Sequence, residues 1–268
     1  MKPLAKPDAA PRLPAEPVVR LIIPALNEAD SLPHLLAGLP AGIDEVIVVD
    51  NGSSDATAEV AHGGGARVVS EPRRGYGQAC LTGIAALRPC DVIVFLDADL
   101  CDNPSHLGDL VRPIIEGRAD MVLGTRMYPE VSTALTLPQR FGNRLACRLM
   151  RLFWGGRYTD LGPFRAISPA ALQRLGMRDR GFGWTVEMQI KAARIGLSVR
   201  EIPVPYRRRR FGRSKVSGTV SGVVGAGYKI LYVIFREALF GQRIRRQTTA
   251  RCTTPHRRSS YSSGDGGA

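Results

Sequence analysis

The chain has 268 residues, 44% of them hydrophobic, which is enough to bury one sizeable core with a small appendage. A formal net charge of +13 points to an anionic partner: nucleic acid, phospholipid or a phosphorylated substrate. The basic residues crowd between Arg207 and Arg258, no aromatic platform or recognition module is interleaved with them, and a nucleic-acid-binding protein is disfavoured.

The cysteines Cys80, Cys90, Cys101, Cys147 and Cys252 are scattered without a CxxC pair. Neither a disulfide framework nor a zinc site is expected, and a reducing compartment is the default. Residues 1–17, rich in Pro and Ala, read as a disordered leader and not as a signal peptide.

Beyond the leader, short β-rich runs alternate with helix-compatible stretches. Strands are expected at Val18–Pro24, Glu45–Asp50, Arg67–Ser70, Val92–Asp97 and Met121–Gly124, with helices at Ser31–Leu39, from near Ser54, at Gly77–Leu87 and at Pro104–Ile115. Such alternation predicts a single, mostly parallel sheet with helices on both faces. Ligands of such sheets gather outside the carboxyl ends of the strands. After the loop Tyr128–Thr136, a helix is expected through Phe141–Phe153, then a glycine-containing segment around Asp160–Arg165. A helix at Trp184–Ile195 and an edge strand at Ser198–Pro203 follow. Residues 18–215 read as one domain, and the tail over 247–268, poor in large apolar residues, as disordered.

Residues 216–246 read as an amphipathic segment. Lys229, Arg236 and Glu237 interrupt its apolar run, so it falls short of the roughly 20 apolar residues of a spanning helix. A helix in the membrane interface, with Tyr228, Leu231, Tyr232 and Phe235 on its apolar face, fits this pattern. An ordinary helix packed on the domain fits it too.

Notable polar residues fall at the strand ends. Asp97-Ala98-Asp99 follows the dry run Asp91–Leu96, where two carboxylates are expensive unless a cation meets them. On an extended strand both would point the same way, and two hard oxygen donors suit Mg²⁺ or Mn²⁺ with phosphate oxygens completing the shell. Solvated loop carboxylates or helix caps are the bland alternative. Asp50 and Glu28 could accept hydrogen bonds from a nucleoside, while Asp50-Asn51-Gly52 equally fits turn chemistry. Gly75 and Gly77 lack the third glycine and the position of a dinucleotide fingerprint, which disfavours a Rossmann dehydrogenase.

Pro24-Ala25-Leu26-Asn27-Glu28, Val48–Thr57, Arg74–Ala79, Asp97-Ala98-Asp99 and Gly124-Thr125-Arg126, in this order, resemble the family 2 glycosyltransferases of the GT-A fold. Within that family the chain is similar to the dolichyl-phosphate mannose or glucose synthase branch, over roughly Val18 to Leu239. The resemblance implies an inverting, metal-dependent transfer of a hexose from GDP-mannose or UDP-glucose to a polyprenyl phosphate, by an enzyme held peripherally at the cytosolic membrane face. A sugar or small-molecule hydroxyl is the other acceptor to weigh. The resemblance also implies Mg²⁺ or Mn²⁺ on Asp97 and Asp99, and catalytic roles for Asp99, Arg126 and Glu187. It implies donor contacts at Pro24, Leu26, Asn27, Glu28, Asp50, Gly75, Gln78, Asp97, Ala98, Arg209 and Lys215. Arg140, in Gln139–Asn143, and Arg165 match arginines expected at the acceptor phosphate. Arg209–Lys215 matches the Arg-x-x-Gly-x-Ser-Lys element, with Gly212 and Gly218 as hinges. Two letters depart from the branch: Cys101 stands where Gln is usual, and Gly162-Pro163 where Ser-Gly is usual. Glu187 would serve as a base only for a hydroxyl acceptor, since an ionised phosphate needs none.

Overall fold

The computed structural model describes residues 16–127, 135–212, 225 and 227–239. Most of the expected leader and of the Tyr128–Thr136 loop, Lys215, Gly218 and the tail from Gln247 lie outside the described residues.

The elements in chain order are β1 (Val19–Ala25), α1 (Leu32–Ala37), β2 (Glu45–Asp50), α2 (Thr57–Gly63), β3 (Arg67–Ser70), α3 (Tyr76–Ala85) and β4 (Val92–Phe95). A 3-10 turn at Pro104–His106 leads into α4 (Leu107–Ile115), then β5 (Met121–Thr125), α5 (Leu137–Trp154), β6 (Arg165–Ile167), α6 (Pro169–Leu175), α7 (Trp184–Ile195) and β7 (Val199–Pro203). A last helix, α8, covers residues 227–239.

The strands form one seven-stranded sheet in the order β3-β2-β1-β4-β6-β5-β7. Only β6 runs antiparallel to its neighbours β4 and β5. The expected single sheet is present, but it is mixed. The short strand Arg165–Ile167 splits the parallel half-sheets where the residues suggest only a loop. Three buried residues are too few to show a period of two.

Side-chain alternation sorts the core into two layers. Leu21, Ile23, Val48, Val92 and Val94 meet α1, α2 and α4 on one face, while Ile22, Ile47, Val49, Ile93 and Phe95 meet α3, α6 and α7 on the other. A satellite cluster joins Ala146, Cys147 and Met150 of α5 and Val186 and Ile190 of α7 to Val233 and Ile234 of α8. Helix α8 therefore docks one side on the domain.

Local signals explain the helix ends. The Thr136 hydroxyl accepts from Gln139 N–H, and the Gln139 side chain accepts from Thr136 N–H at 2.8 Å. This capping box starts α5 at Leu137, four residues before Phe141. Gly155 and Gly196 close α5 and α7 in the left-handed region, at φ 71° and 68°.

Trp184 is fully buried at the start of α7 and packs edge-on against Phe95 at 4.8 Å and Tyr76 at 6.2 Å. It ties α7 to the central strand and to α3. Trp184→Ala is expected to cost about 3–5 kcal/mol, read as a fall in the urea midpoint with native helix content retained in buffer.

Candidate functional site

The strand tips surround a cleft of about 660 Å³. Its floor includes Pro24 and Leu26 after β1, Asn51 after β2, Asp97-Ala98-Asp99 after β4 and Arg126 after β5. Gly75 and Tyr76 at the start of α3, Gly142 and Asn143 of α5, and Tyr206 and Arg209 complete much of the wall.

The acidic tip is not an extension of the strand. Regular β4 ends at Phe95, Ala98 and Asp99 form a turn, and Leu100 has a φ of 59°. The expected strand alternation therefore does not place the two carboxylates. A turn brings both to the cleft, and the Cys101 N–H holds Asp99 by donating to Oδ1 at 3.0 Å. Asp97 Oδ1 is buried without a hydrogen-bond partner. Burial, together with the charge of Asp99, raises the Asp97 pKa to about 7. An orphaned carboxylate oxygen beside a second carboxylate is a donor set suited to a hard divalent cation. Among the described residues no ready-made group of three His, Cys, Asp or Glu ligands is present, so a bound ion would need oxygens from substrate or water. The Cys101 thiol does not line the cleft, and burial pushes its pKa up, so it stays neutral.

Arg126 is the best-braced cation. Its Nε and Nη2 donate to Asp160 Oδ2 and Oδ1 at 2.8 and 2.9 Å, and its own backbone N–H donates to Oδ2 at 2.8 Å. The guanidinium also lies 4.9 Å from the Tyr206 ring centroid. Burial works against both charges, yet Arg126 holds Asp160 below the usual carboxylate range, and Asp160 raises Arg126 in return. Asp102, bridged to Tyr206, is buried with both carboxyl oxygens unpartnered. Burial pushes its pKa well up, and the charges of Asp97 and Asp99 add to the rise.

Arg209 lines the cleft. It pairs with Glu28 at 2.7 Å and approaches Asp99 at 3.4 Å. Glu28 also accepts from the Ser31 hydroxyl at 2.9 Å.

Other expected site residues stand behind the cleft and shape it. Asn27, at φ 51°, receives Ser54 N–H on Oδ1 and donates its own N–H to the Ser53 hydroxyl. Asp50 accepts from Ser53 N–H at 3.0 Å and does not line the cleft. Its turn chemistry is what the structure displays. Gln78 faces away and donates to Glu71 at 2.7 Å. The nearby Asn51 does the cleft-side work. Its amide donates to the carbonyls of Glu71 and Arg73 and accepts Gly75 N–H at 2.7 Å, clamping residues 71–75. Hydrogen bonds from Thr82 and Gln78 lower the Glu71 pKa to about 2.

Three expectations need correction. Arg165 is fully buried and absent from the cleft wall, with its guanidinium donating to the carbonyls of Thr185 and Gly162. Burial lowers its pKa to about 10. It braces β6 against α7 and does not face the cleft. Glu187 is 1% exposed, accepts the N–H groups of Arg178 and Asp179, and pairs with Lys191 at 2.8 Å. Its lone pairs are spent on a loop, so it is not placed to act as a base. Arg140 is half-buried on α5 and does not line the cleft, whereas its neighbour Gln139 does. Lys215 lies outside the described residues.

The loop that Glu187 pins matters for the site. The carbonyls of Arg180 and Gly181 accept the N–H groups of Gln78 and Gly77 at the start of α3, and Phe182 enters the cleft wall. A Cβ on Gly77 would collide with the Asp179 carbonyl, so this close approach requires glycine. Lys229 of α8 pairs with Asp179 at 3.0 Å.

The Asp97 shift sets a pH dependence. Unfolded chain releases this proton near the ordinary value of 3.8, while folded protein keeps it to about 7. Between those values rising pH favours the unfolded state, so this group's contribution to stability falls. In chelator-treated protein, Asp97→Asn should remove that decline from urea midpoints measured across the window. An unchanged slope would show that Asp97 is not the group responsible.

Comparison with known proteins identifies the family and the fold. Residues 21–176 match the family Glycosyl transferase family 2. An uncharacterised glycosyltransferase of Mycobacterium tuberculosis H37Rv is 38% identical over 213 residues, covering 77% of this chain and 93% of that protein. The undecaprenyl-phosphate mannosyltransferase of Micrococcus luteus is 31% identical over 225 residues, covering 77% and 89%. Among solved structures, glucosyl-3-phosphoglycerate synthase from Mycobacterium tuberculosis, in complex with Mn²⁺, UDP and phosphoglyceric acid, superposes with a TM-score of 0.68 at 24% identity, covering 84% of this chain and 79% of that one. The fold is GT-A, and the chain belongs to glycosyl transferase family 2.

Proposed function

We propose that this glycosyltransferase moves a hexose from a nucleoside-diphosphate donor to a polyprenyl phosphate, with inversion, as a peripheral enzyme of the cytosolic membrane face. The observation that carries this is the composition of the cleft wall. One cavity joins the braced cation Arg126 and the acidic tip to apolar side chains of Leu135, Leu161, Phe182 and Ile230. A lipid phosphate presents the matching pair of features, an ionised head and an apolar tail. The family relative named for undecaprenyl phosphate adds weight.

The chain's own residues divide the work as follows. Asp97 and Asp99 would hold Mg²⁺ or Mn²⁺, which when bound neutralises charge building on the departing diphosphate. Arg126, fixed by Asp160 and Tyr206, presents its remaining N–H donors with little reorganisation. Arg209, with Lys215, is assigned to the donor phosphates. Asn51 and Gly75 shape the nucleoside end, and Glu28 holds Arg209 in place. The acceptor phosphate is ionised at neutral pH and attacks the anomeric carbon directly, so no general base is required. The buried Glu187 is consistent with that.

Labelled UDP-glucose and GDP-mannose, supplied with polyprenyl phosphate and Mg²⁺ or Mn²⁺, test the reading by phase partition. Label is expected in the organic phase. Label confined to an aqueous product would assign a sugar, a small hydroxyl or a small phosphorylated acceptor instead. Asp99→Asn should lower turnover by at least about 100-fold and leave the melting temperature within a few degrees of the parent. Full activity in that variant, or in chelator, would remove the metal from the account.

A further inference from the structure

Large apolar side chains exposed among the described residues concentrate on two neighbouring helices. On α8, Tyr228, Tyr232, Phe235 and Leu239 recur at helical spacing, with exposures of 71, 48, 47 and 71%. Val233 and Ile234, on the other side of α8, are buried against α5 and α7. On α5, Leu137, Phe141 and Leu152 are 79, 70 and 75% exposed. Phe153 of α5 meets Phe235 of α8 edge-on at 6.2 Å, so the two stripes are continuous.

The charge on α5 says what covers this face. Its sequence, LPQRFGNRLACRLMRLFW, contains four arginines and no acidic residue. Arg144, Arg148 and Arg151 are exposed along the same side as Phe141 and Leu152. On α8, Lys229 and Arg236 flank the Tyr232 ring at 5.6 and 6.0 Å. A face that alternates large apolar groups with arginine is poorly suited to a second copy of itself, because like charges would be apposed. It suits the headgroup boundary of an anionic bilayer, where apolar groups sink and arginine stems reach up to phosphate.

The geometry points to α5 and α8 together as a two-helix docking face for an anionic phospholipid surface, with α5 supplying most of the charge. The beginnings of both helices wall the cleft, through Pro138, Gln139 and Gly142 of α5 and residues Gly227 and Ile230 of α8. Docking this face would set the cleft mouth at the lipid boundary, where a prenyl tail resides. The inference rests on the lipid-phosphate acceptor proposed above and adds the lipid partner and the helix that selects it.

The test uses full-length protein and the variant Arg144→Gln/Arg148→Gln/Arg151→Gln, which changes no cleft-lining residue. Both are co-sedimented with vesicles of phosphatidylcholine alone and of phosphatidylcholine with phosphatidylglycerol. The parent is expected to bind only the anionic vesicles, and the triple variant to lose partition on the order of 100-fold. Transfer to a short-chain, water-soluble prenyl phosphate free in solution should be unchanged in the variant. Equal binding of parent and variant would overturn the proposal and place any attachment elsewhere in the chain. So would equal binding to both vesicle types, or a stable dimer that Leu137→Ser/Phe141→Ser/Leu152→Ser dissociates. If the parent transfers sugar to no prenyl phosphate yet binds through these arginines, the acceptor reading fails and the docking face stands.

Discussion

The bidentate pair between Arg126 and Asp160 is the constraint on which the site depends. It is nearly dry: Asp160 is 1% exposed, and an unpartnered charge there would cost several kcal/mol. The surroundings are built to complete it. Asp160 Oδ1 also accepts Leu161 N–H, its carbonyl accepts from Gln189 of α7, and Asn143 of α5 bridges the Thr159 carbonyl and Leu161 N–H. Strand β5, helices α5 and α7 and the approach to β6 are thus tied at one point. That point fixes the guanidinium on the edge of the cleft.

The second constraint runs through the loop between α6 and α7. Glu187 and Asp179 fold it, and it caps the start of α3 and sends Phe182 into the cleft. The loop also touches α8 through Lys229 and Asp179. Lys229 on α8 and Gly75 and Tyr76 of the cleft wall are therefore one short loop apart. Much of what looks catalytic in the motif letters is this scaffolding. Arg165 and Glu187 are held largely by main-chain groups and determine shape, while the cleft keeps unpartnered oxygens such as Asp97 Oδ1.

Much of this architecture was legible in the residues. Glu45–Asp50, Arg67–Ser70 and Trp184–Ile195 coincide with observed elements, because glycine or other turn residues bound each run. The gathering of Leu26, Asp97, Asp99, Arg126 and Arg209 at one cleft follows from strand-end logic plus motif order. What was not legible depends on tertiary burial. Strand β6 is three residues long and pairs antiparallel on both sides, which no local pattern reveals. Arg165 and Glu187 carry the right letters in the right order, but only packing shows them enclosed. Asp160 stood in a recognised segment without a role, because its value comes from Arg126, 34 positions away. Asp102 and Asn51 gain meaning in the same way, from neighbours distant in sequence.

The central claim is that donor diphosphate is held between the acidic tip and the braced arginine. A crystal structure with a nucleoside diphosphate and Mn²⁺ tests it most directly. The account predicts the ion on Asp97 and Asp99, with diphosphate oxygens completing its shell and facing Arg126 or Arg209. A nucleotide bound instead at the basic pocket of Arg112, Arg118 and Arg200, or an ion held without either aspartate, would contradict it.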